Sequence, residues 1–433
     1  PSVESPQVYR NYAQTSKVHL EMARGEVEHI QLVFPSKVNE EYRFTFDRYL
    51  KGIQISAREL KKMNGYYDAL VPFKNQLKCT DTLTAVWITV QCPSRVPVGK
   101  YHQTIKIEGS KHFTIQLDYN VHHTTIPLKS SIPITVGVEN RCMTECLNDK
   151  EADKERQRWV DFVLSYRMTP VFGTQITPER WQYEHSFSPW AWNDKRSIRL
   201  LNDRRYSCYM LPFFTLSENE LASLLCNIQK KGKLKESLFY IWDEPAYMED
   251  YEQIKRKVNI IRKYASDARI LTTFFCGPRN GPRKGDLYAV FDYLKHHIHV
   301  ATISLAPCKG NEEEVQHIRY KVPEGIDWWS YVCWQPGGNE PNFLLQMKGI
   351  QQRAIMWRTW KNGSQGFLYW NCNIYHKRNP FTYITDMPHG DGILIYPGDI
   401  LGCKGPIASA RLERWRDGAE EMELLRLVEK NYS

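Results

Sequence analysis

The chain has 433 residues and a formal net charge of +9, with 42% hydrophobic and 25% charged residues. Such a balance belongs to a globular protein rather than a disordered or fibrous one, and the length accommodates two or three domains, or one barrel with an accessory domain. The positive charge is spread out, with short runs at Lys255-Arg256-Lys257 and Lys230–Lys235, so nucleic-acid binding is not expected, and no run reaches the roughly eighteen apolar residues of a membrane span.

Residues 1–126 read as all-β. Val27–Phe34 ends in an apolar stretch, and Leu83–Gln91 is rich in Thr, Val, Ile and Trp. Tyr101–Ile107 and Phe113–Val121 alternate apolar and polar side chains, as half-buried strands do. Turn residues at Pro97-Val98-Gly99-Lys100 punctuate them. Short strands with such punctuation predict a β-sandwich. His122 and His123 are adjacent on a strand and point to opposite faces, so no shared metal is assigned to them. Thr124–Pro133 then reads as a linker.

From Ile134 the pattern alternates strand and helix, the signature of a parallel α/β fold. Eight strands are expected: Ile134–Val138, Pro170–Gly173, one within Tyr206–Phe214, Leu238–Trp242, Arg269–Phe275, His299–Ser304, Trp328–Cys333 and Gly366–Asn371. Helices are expected between them at Asp153–Tyr166, Glu218–Lys230, after Pro245, near Asn311–Tyr320 and at Leu344–Trp360. The clearest carries Tyr251, Ile254, Val258, Ile261 and Ala265 at steps of three and four. This count and order over residues 132–372 predict a (β/α)8 TIM-type barrel. Residues 373–433 form a C-terminal extension expected to pack on the barrel: a loop-rich piece containing Asp386 and Asp391, then a helix over Trp415–Val428. The expected fold is thus α/β, an N-terminal β-sandwich followed by the barrel.

The eleven cysteines are scattered and give no dense disulfide framework. Cys142 and Cys146 have a ligand-like spacing without a second Cys or His pair nearby, so no metal is expected. Cys276–Gly285 is glycine-rich and basic, but its spacing fits neither the phosphate loop nor the dinucleotide fingerprint, and no cofactor is expected. It reads as a mobile loop above the pocket whose charge suits an anionic substrate. Asn362-Gly363-Ser364 and Asn431-Tyr432-Ser433 are glycosylation sequons.

In a barrel, the C-terminal strand ends converge on one pocket. Here those ends carry Glu139 and Asn140, Asp243 and Glu244, Tyr331 and Trp334, and Tyr369, Trp370 and Asn371. Carboxylates and amides bond hydroxyls and aromatic faces stack on sugar rings, so Glu139, Tyr331, Trp334, Tyr369, Trp370 and Asn371 are the expected substrate contacts. The Asp243-Glu244-Pro245 element has two readings: cap of the following helix, or catalytic pair. Two adjacent acids do not suit glycosidases that place carboxyls on opposite sides of the bond, about 5–9.5 Å apart. They suit substrate assistance, in which one acid stabilises the attacking 2-acetamido group while its neighbour protonates the leaving oxygen. Mutual repulsion raises the proton affinity of one of the two.

Several stretches resemble glycoside hydrolase family 123 and the wider group of related barrel proteins. These are Asp243-Glu244-Pro245 after its apolar strand, Trp328–Cys333 with Pro341-Asn342, Gly366–Trp370, Asp391–Gly398, Ser409–Glu413 and Arg416-Asp417-Gly418. Gly25–Val33 and Pro97–Tyr101 are similar to the sandwich of that group. The resemblance runs through most of the chain. It implies an enzyme releasing terminal β-linked N-acetylgalactosamine, with retention, through an oxazolinium intermediate. Asp243 would be the acetamido stabiliser and Glu244 the general acid/base; Arg416-Asp417-Gly418 is expected to be structural. The implied partner is a glycan ending in N-acetylhexosamine, and the implied location is secreted or otherwise extracytoplasmic. Two alternatives stay open: a glycosidase on a different sugar that uses Glu244 with a distant carboxylate such as Glu139 or Asp391, and a non-catalytic glycan-binding protein.

Overall fold

The structure, a computed structural model, describes residues 16–47, 52–177, 182–306, 312–383 and 388–432. The expected positions Asn311, Asp386 and Ser433 lie outside the described residues. The chain divides into two compact units. One comprises the residues up to Leu128 with Leu345–Ala354 and Leu394 onward; the other comprises Lys129–Leu344 and Ile355–Ile393.

The first unit holds β1 (Lys17–Arg24), β2 (Val27–Pro35), β3 (Glu41–Phe46), β4 (Gln54–Met63), β5 (Tyr66–Pro72), β6 (Gln76–Lys78), β7 (Leu83–Gln91), β8 (Gly99–Glu108) and β9 (His112–Thr125). They form two sheets, ordered β1-β9-β8-β3-β6 and β2-β7-β4-β5. Pairing is antiparallel except for β1, which runs parallel to β9. Alternation explains the layers: along β8, Tyr101, Gln103, Ile105 and Ile107 are buried while His102 and Glu108 face out. Tyr42, Phe44, Ile105 and Leu117 from one sheet and Ile30, Val86, Ile88 and Val90 from the other share one core.

The second unit begins with β10 (Ile134–Glu139), α1 (Asn140–Thr144), α2 (Asp149–Ser165), β11 (Thr169–Thr177), β12 (Gln182–Ser186), α3 (Lys195–Leu200) and β13 (Tyr209–Met210). It continues through α4 (Glu218–Lys230), β14 (Ser237–Trp242), α5 (Met248–Arg262), β15 (Arg269–Phe274), α6 (Ala289–Leu294) and β16 (Val300–Ser304). Next come α7 (Glu312–Lys321), β17 (Asp327–Val332), α8 (Gly349–Lys361), whose residues up to Ala354 group with the first unit, and β18 (Gly366–Tyr369). Nine of these strands form one sheet in the order β12-β11-β10-β18-β17-β16-β15-β14-β13. All eight expected strands are there, mutually parallel. The strands read as near-continuous apolar runs because both faces are covered: every residue of β14 and of β16 is buried. Val171, Met210, Leu238, Leu271, Val300, Trp329 and Leu368 fill the interior.

After β11 the arrangement differs from an exact (β/α)8 barrel. The chain after β11 turns back and pairs antiparallel with it as β12. The sheet is nearly closed there, with Phe187 N–H donating to the Met210 carbonyl at 2.7 Å. In β12, Tyr183 and His185 share one face and Glu184 occupies the other, where it accepts from the Phe213 and Thr215 N–H groups at 2.8 and 2.7 Å. Three alternating residues are too short a signal to separate from a loop.

The tail carries β19 (Tyr375–His376), β20 (Asn379–Tyr383), β21 (Ile395–Pro397), β22 (Pro406–Ala408) and α9 (Ala410–Tyr432). The sequence reading placed residues 373–433 as an extension on the barrel; in the structure, contacts group Leu394 onward with the N-terminal sheets and the residues up to Ile393 with the strand ring. The reason is the charge on α9. Arg411 is fully buried and donates to Asp68 of β5, itself fully buried, at 2.9 Å. Glu413 meets Arg58 of β4 at 2.6 Å and His29 of β2 at 3.0 Å, and Asp417 meets His29 at 3.0 Å. In a helix these charges read as a solvated face; here they are the packing surface. Arg416 donates to Glu413 and to His29, and an added Cβ at Gly418 would lie 2.3 Å from the Arg353 carbonyl. Arg416-Asp417-Gly418 thus has a structural setting.

Candidate active site

Strand β14 and the residues after it build the centre of the site. Leu238 and Tyr240 point into the ring interior. Strict alternation would turn Trp242 inward as well. The pairing with β15 is shifted between Tyr240 and Trp242, so Tyr240 faces Leu271 and Trp242 faces Thr272. This bulge re-aims the chain end: the Trp242 ring lies under Lys257 of α5, and Asp243 comes round to the Tyr240 side.

Asp243 Oδ1 accepts from the Tyr240 hydroxyl and from the Thr273 hydroxyl of β15, both at 2.7 Å. The Thr273 oxygen in turn accepts the Glu244 N–H at 2.9 Å. Glu244 has φ +45°, a left-handed conformation, and Tyr331 of β17 donates its hydroxyl to Glu244 Oε1. Burial keeps the Tyr240 and Tyr331 hydroxyls protonated, their pKa values raised well above the usual phenol range. Neither acid caps α5. Asp250 accepts from the Ala246 and Tyr247 N–H groups, each at 2.9 Å, and Asn280 accepts from Met248 N–H at 2.8 Å. The helix start is therefore served without the pair, which removes the capping reading.

Asp243 and Glu244 are both exposed, so a ligand reaches them. The Glu244 carboxyl nonetheless sits low among protein atoms. Desolvation first, and the Asp243 charge second, raise its pKa to about 7, against the opposing pull of the Tyr331 hydroxyl and the Arg279 charge. A carboxyl with that affinity holds a proton near neutrality and gives it up readily, which is what a general acid requires. The repulsion anticipated from adjacency is present, but burial is the larger cause.

Further groups surround the pair. His185 of β12 stacks flat on Tyr240, with centroids 4.1 Å apart and planes 7° apart, and burial lowers its pKa to about 3. It is a neutral ring that fixes Tyr240. Glu139 ends β10, 4% exposed. One oxygen accepts from Arg141 N–H at 3.3 Å; the other is buried and, among the described residues, has no partner. Its backbone is tied both ways to Asn373, at 2.8 and 3.1 Å. Burial raises its pKa to about 7. It lies 3.8 Å from where a Cβ on Gly173 would be, and Tyr183 is on that same side at 3.5 Å.

The remaining expected contacts divide by exposure. Trp334 is 38% exposed and stacks against Phe275, with centroids 6.3 Å apart. Trp370 is half-buried; its indole donates to Asp391 at 3.0 Å, and its ring leaves no room for a Cβ on Gly392, 2.6 Å away. Tyr369 is completely buried, with its hydroxyl donating to Asp391 at 3.0 Å. Substrate does not reach it; it supports Asp391 and, through it, Trp370. Asn371 is 6% exposed and its side-chain oxygen accepts from Asn373 N–H at 2.9 Å, so it shapes the turn after β18. Sequence reasoning missed Tyr240, Thr273, Tyr183 and His185, while Arg279 lies in the basic loop it had marked. Thr272-Thr273 closing an apolar strand was a signal for Thr273. Tyr240 hid inside an apolar run, and Tyr183 and His185 had no period to reveal them.

Exposed adjacent acids at the mouth of a parallel strand ring, one of them held at high proton affinity, are equipped for general acid–base hydrolysis. The chain belongs to glycoside hydrolase family 123: the family model "Glycoside hydrolase 123, catalytic domain" matches residues 154–428. It is accordingly a glycoside hydrolase acting on a glycan. Among solved structures, the fold is similar to that of a family 123 glycoside hydrolase from Clostridium perfringens, described for its glycolipid glycan hydrolysis. That match has 14% identity and a TM-score of 0.69, and covers 98% of this chain and 86% of that one. A family 39 β-xylosidase from Caulobacter crescentus matches at 10% identity and a TM-score of 0.39, over 66% of this chain and 72% of that one. No curated protein matches the sequence. Among the described residues, no group of three His, Cys, Asp or Glu is arranged to hold a metal, and no helix is long and apolar enough to cross a membrane.

Proposed function

We propose that the enzyme releases terminal β-linked N-acetylgalactosamine with retention, using the substrate's own acetamido group as nucleophile. The observation that carries this reading is the unequal treatment of two neighbouring acids. Asp243 is clamped by two hydroxyls, while the raised pKa of Glu244 keeps a proton available. Asp243 accepts the acetamido N–H and so favours attack of the acetamido oxygen on the anomeric carbon. The glycosidic bond breaks as Glu244 passes its proton to the leaving oxygen, giving a cyclic oxazolinium ion and a free alcohol. Glu244, now ionised, takes a proton from water as that water attacks the anomeric carbon. The ring opens, the acetamide is restored and Glu244 is reprotonated. Trp334 and Trp370 offer ring faces to the sugars and Glu139 a buried carboxyl to a hydroxyl. Glycolipid glycans, the substrates named for the Clostridium relative, are the proposed natural class.

The test is a panel of aryl β-glycosides: N-acetylgalactosaminide, N-acetylglucosaminide, galactoside and glucoside. Turnover is expected only with the acetamido sugars, and best with the first. Glu244→Gln should lower kcat/KM about a hundredfold to ten-thousandfold, and a thiazoline mimic of the oxazoline should inhibit competitively. Turnover of the plain galactoside, with no inhibition by the thiazoline, would sink acetamido participation.

A further inference from the structure

Beside the pair lies a cation that the reaction above does not consume. The loop after β15 is bolted to the turn that follows Glu244. Arg279 N–H donates to the Ala246 carbonyl at 2.7 Å, and Asn280 accepts from Met248 N–H at 2.8 Å. Gly277 sits so close to the Asp286 backbone that a Cβ would come within 2.3 Å, and Gly281, at φ +86°, lies against Met248. The loop is thus a fixed part of the rim. Its charges differ in fate. Arg283 is taken by Asp286, at 2.5 Å, and by Asp292. Arg279 is exposed; its side chain engages Tyr247 and Cys276, and among the described residues no salt bridge holds it. The carboxylates on the adjoining helix turn are engaged: Asp250 with the Ala246 and Tyr247 N–H groups, Glu249 with Asn280 at 3.2 Å. Exposed aromatic surface accompanies it, in Tyr247 at 46% and in Trp334 stacked on Phe275.

Position decides what such a cation reads. The acid that protonates the leaving oxygen stands on the leaving-group side of the scissile bond; Arg279 is bonded through its backbone N–H to Ala246, two residues past Glu244, and its charge acts on the Glu244 carboxyl. We propose that Arg279 forms an anion-accepting subsite for the group beyond the scissile bond, selecting glycans whose next sugar carries a carboxylate or a sulfate. A guanidinium suits both through paired N–H donors. The inference rests on the assignment of Glu244 as general acid.

The experiment uses aryl β-N-acetylgalactosaminides with three leaving groups: carboxylated, sulfonated and neutral. The readout is the ratio of kcat/KM for each anionic arm to the neutral arm, compared between the parent and its variants, so that leaving-group reactivity cancels. Arg279→Gln should lower the ratio about fivefold to tenfold at low salt, and 0.5 M salt should erase most of that difference. Arg279→Lys, which keeps the charge but loses the paired donors, should keep only part of the ratio, and Lys284→Gln, on the same loop, should keep all of it. The relative loss in the carboxylated and sulfonated arms identifies which anion is read. A ratio that Arg279→Gln leaves unchanged overturns the proposal, as does an equal loss in Lys284→Gln, which would mean a diffuse loop field. If the neutral arm itself is not hydrolysed, the N-acetylgalactosaminidase reading fails, and this one with it.

Discussion

At the scale of single residues, Glu244 is poised by opposing neighbours, and their signs can be read separately. Burial and the Asp243 charge raise its pKa to about 7; the Tyr331 hydroxyl lowers it. The alkaline limb of the kcat/KM profile reports the loss of that proton. Tyr331→Phe should therefore move the limb to higher pH, and Asp243→Asn should move the residual activity's limb to lower pH while also cutting the rate. The measurement is kcat/KM against pH with an aryl substrate. Shifts in the same direction for both variants would contradict the assigned electrostatics. The pair itself was legible in the sequence because two acids terminated an apolar run. The asymmetry between them was not, since it depends on Tyr331, 87 residues further along the chain, and on Thr273 in the next strand.

At the scale of elements, the eight parallel strands and the longer helices of the second unit were legible from apolar runs and apolar stripes, while α1, α3, α6 and β12 are too short to show a period. What misled was α9. Arg411, Glu413, Arg416 and Asp417 are charges on a helix, and the ordinary reading sends charges to water; their partners Asp68, Arg58 and His29 are hundreds of residues away in sequence. The same helix gives a test that opposes simple propensity. In a helix interior, Gly→Ala ordinarily stabilises by about 0.5–1 kcal/mol. Gly418→Ala should instead destabilise, because the new methyl meets the Arg353 carbonyl at 2.3 Å and backbone on both sides has to move. Overpacking of this kind costs about 1–3 kcal/mol. Urea unfolding of the two proteins measures the difference, and an Ala variant as stable as the parent would show that the helix shifts freely.

At the scale of the whole molecule, stability should depend on pH in a direction uncommon for carboxylates. Glu26, 6% exposed, has its pKa raised to about 8 by burial, with Glu28, Glu420 and Glu421 adding to the rise and the Ala23 N–H opposing it. Burial likewise raises Glu139 to about 7. A carboxyl whose folded pKa exceeds its unfolded value contributes stability in full below the unfolded pKa. That contribution is lost as pH rises toward the folded pKa. The window here runs from about pH 4.5 to about pH 8. Glu413, held well below the usual range against its own burial by Arg416, Arg58 and His29, acts in the opposite sense at lower pH. Glu26→Gln should therefore raise stability at pH 8 by about 1–3 kcal/mol and change it little at pH 5. Equal effects at both values, by chemical denaturation, would place the cause elsewhere.

The left-handed backbone at Glu244 sets two selective pressures against each other. A β-carbon at φ +45° costs about 1 kcal/mol that Asn or Gly would largely avoid. Foldedness alone would thus drift this position toward Asn, while turnover keeps the glutamate there. Glu244→Asn should come out inactive yet with a higher melting temperature than the parent, as calorimetry would show. Lineages released from the need to cleave glycans should be the ones in which that replacement is found.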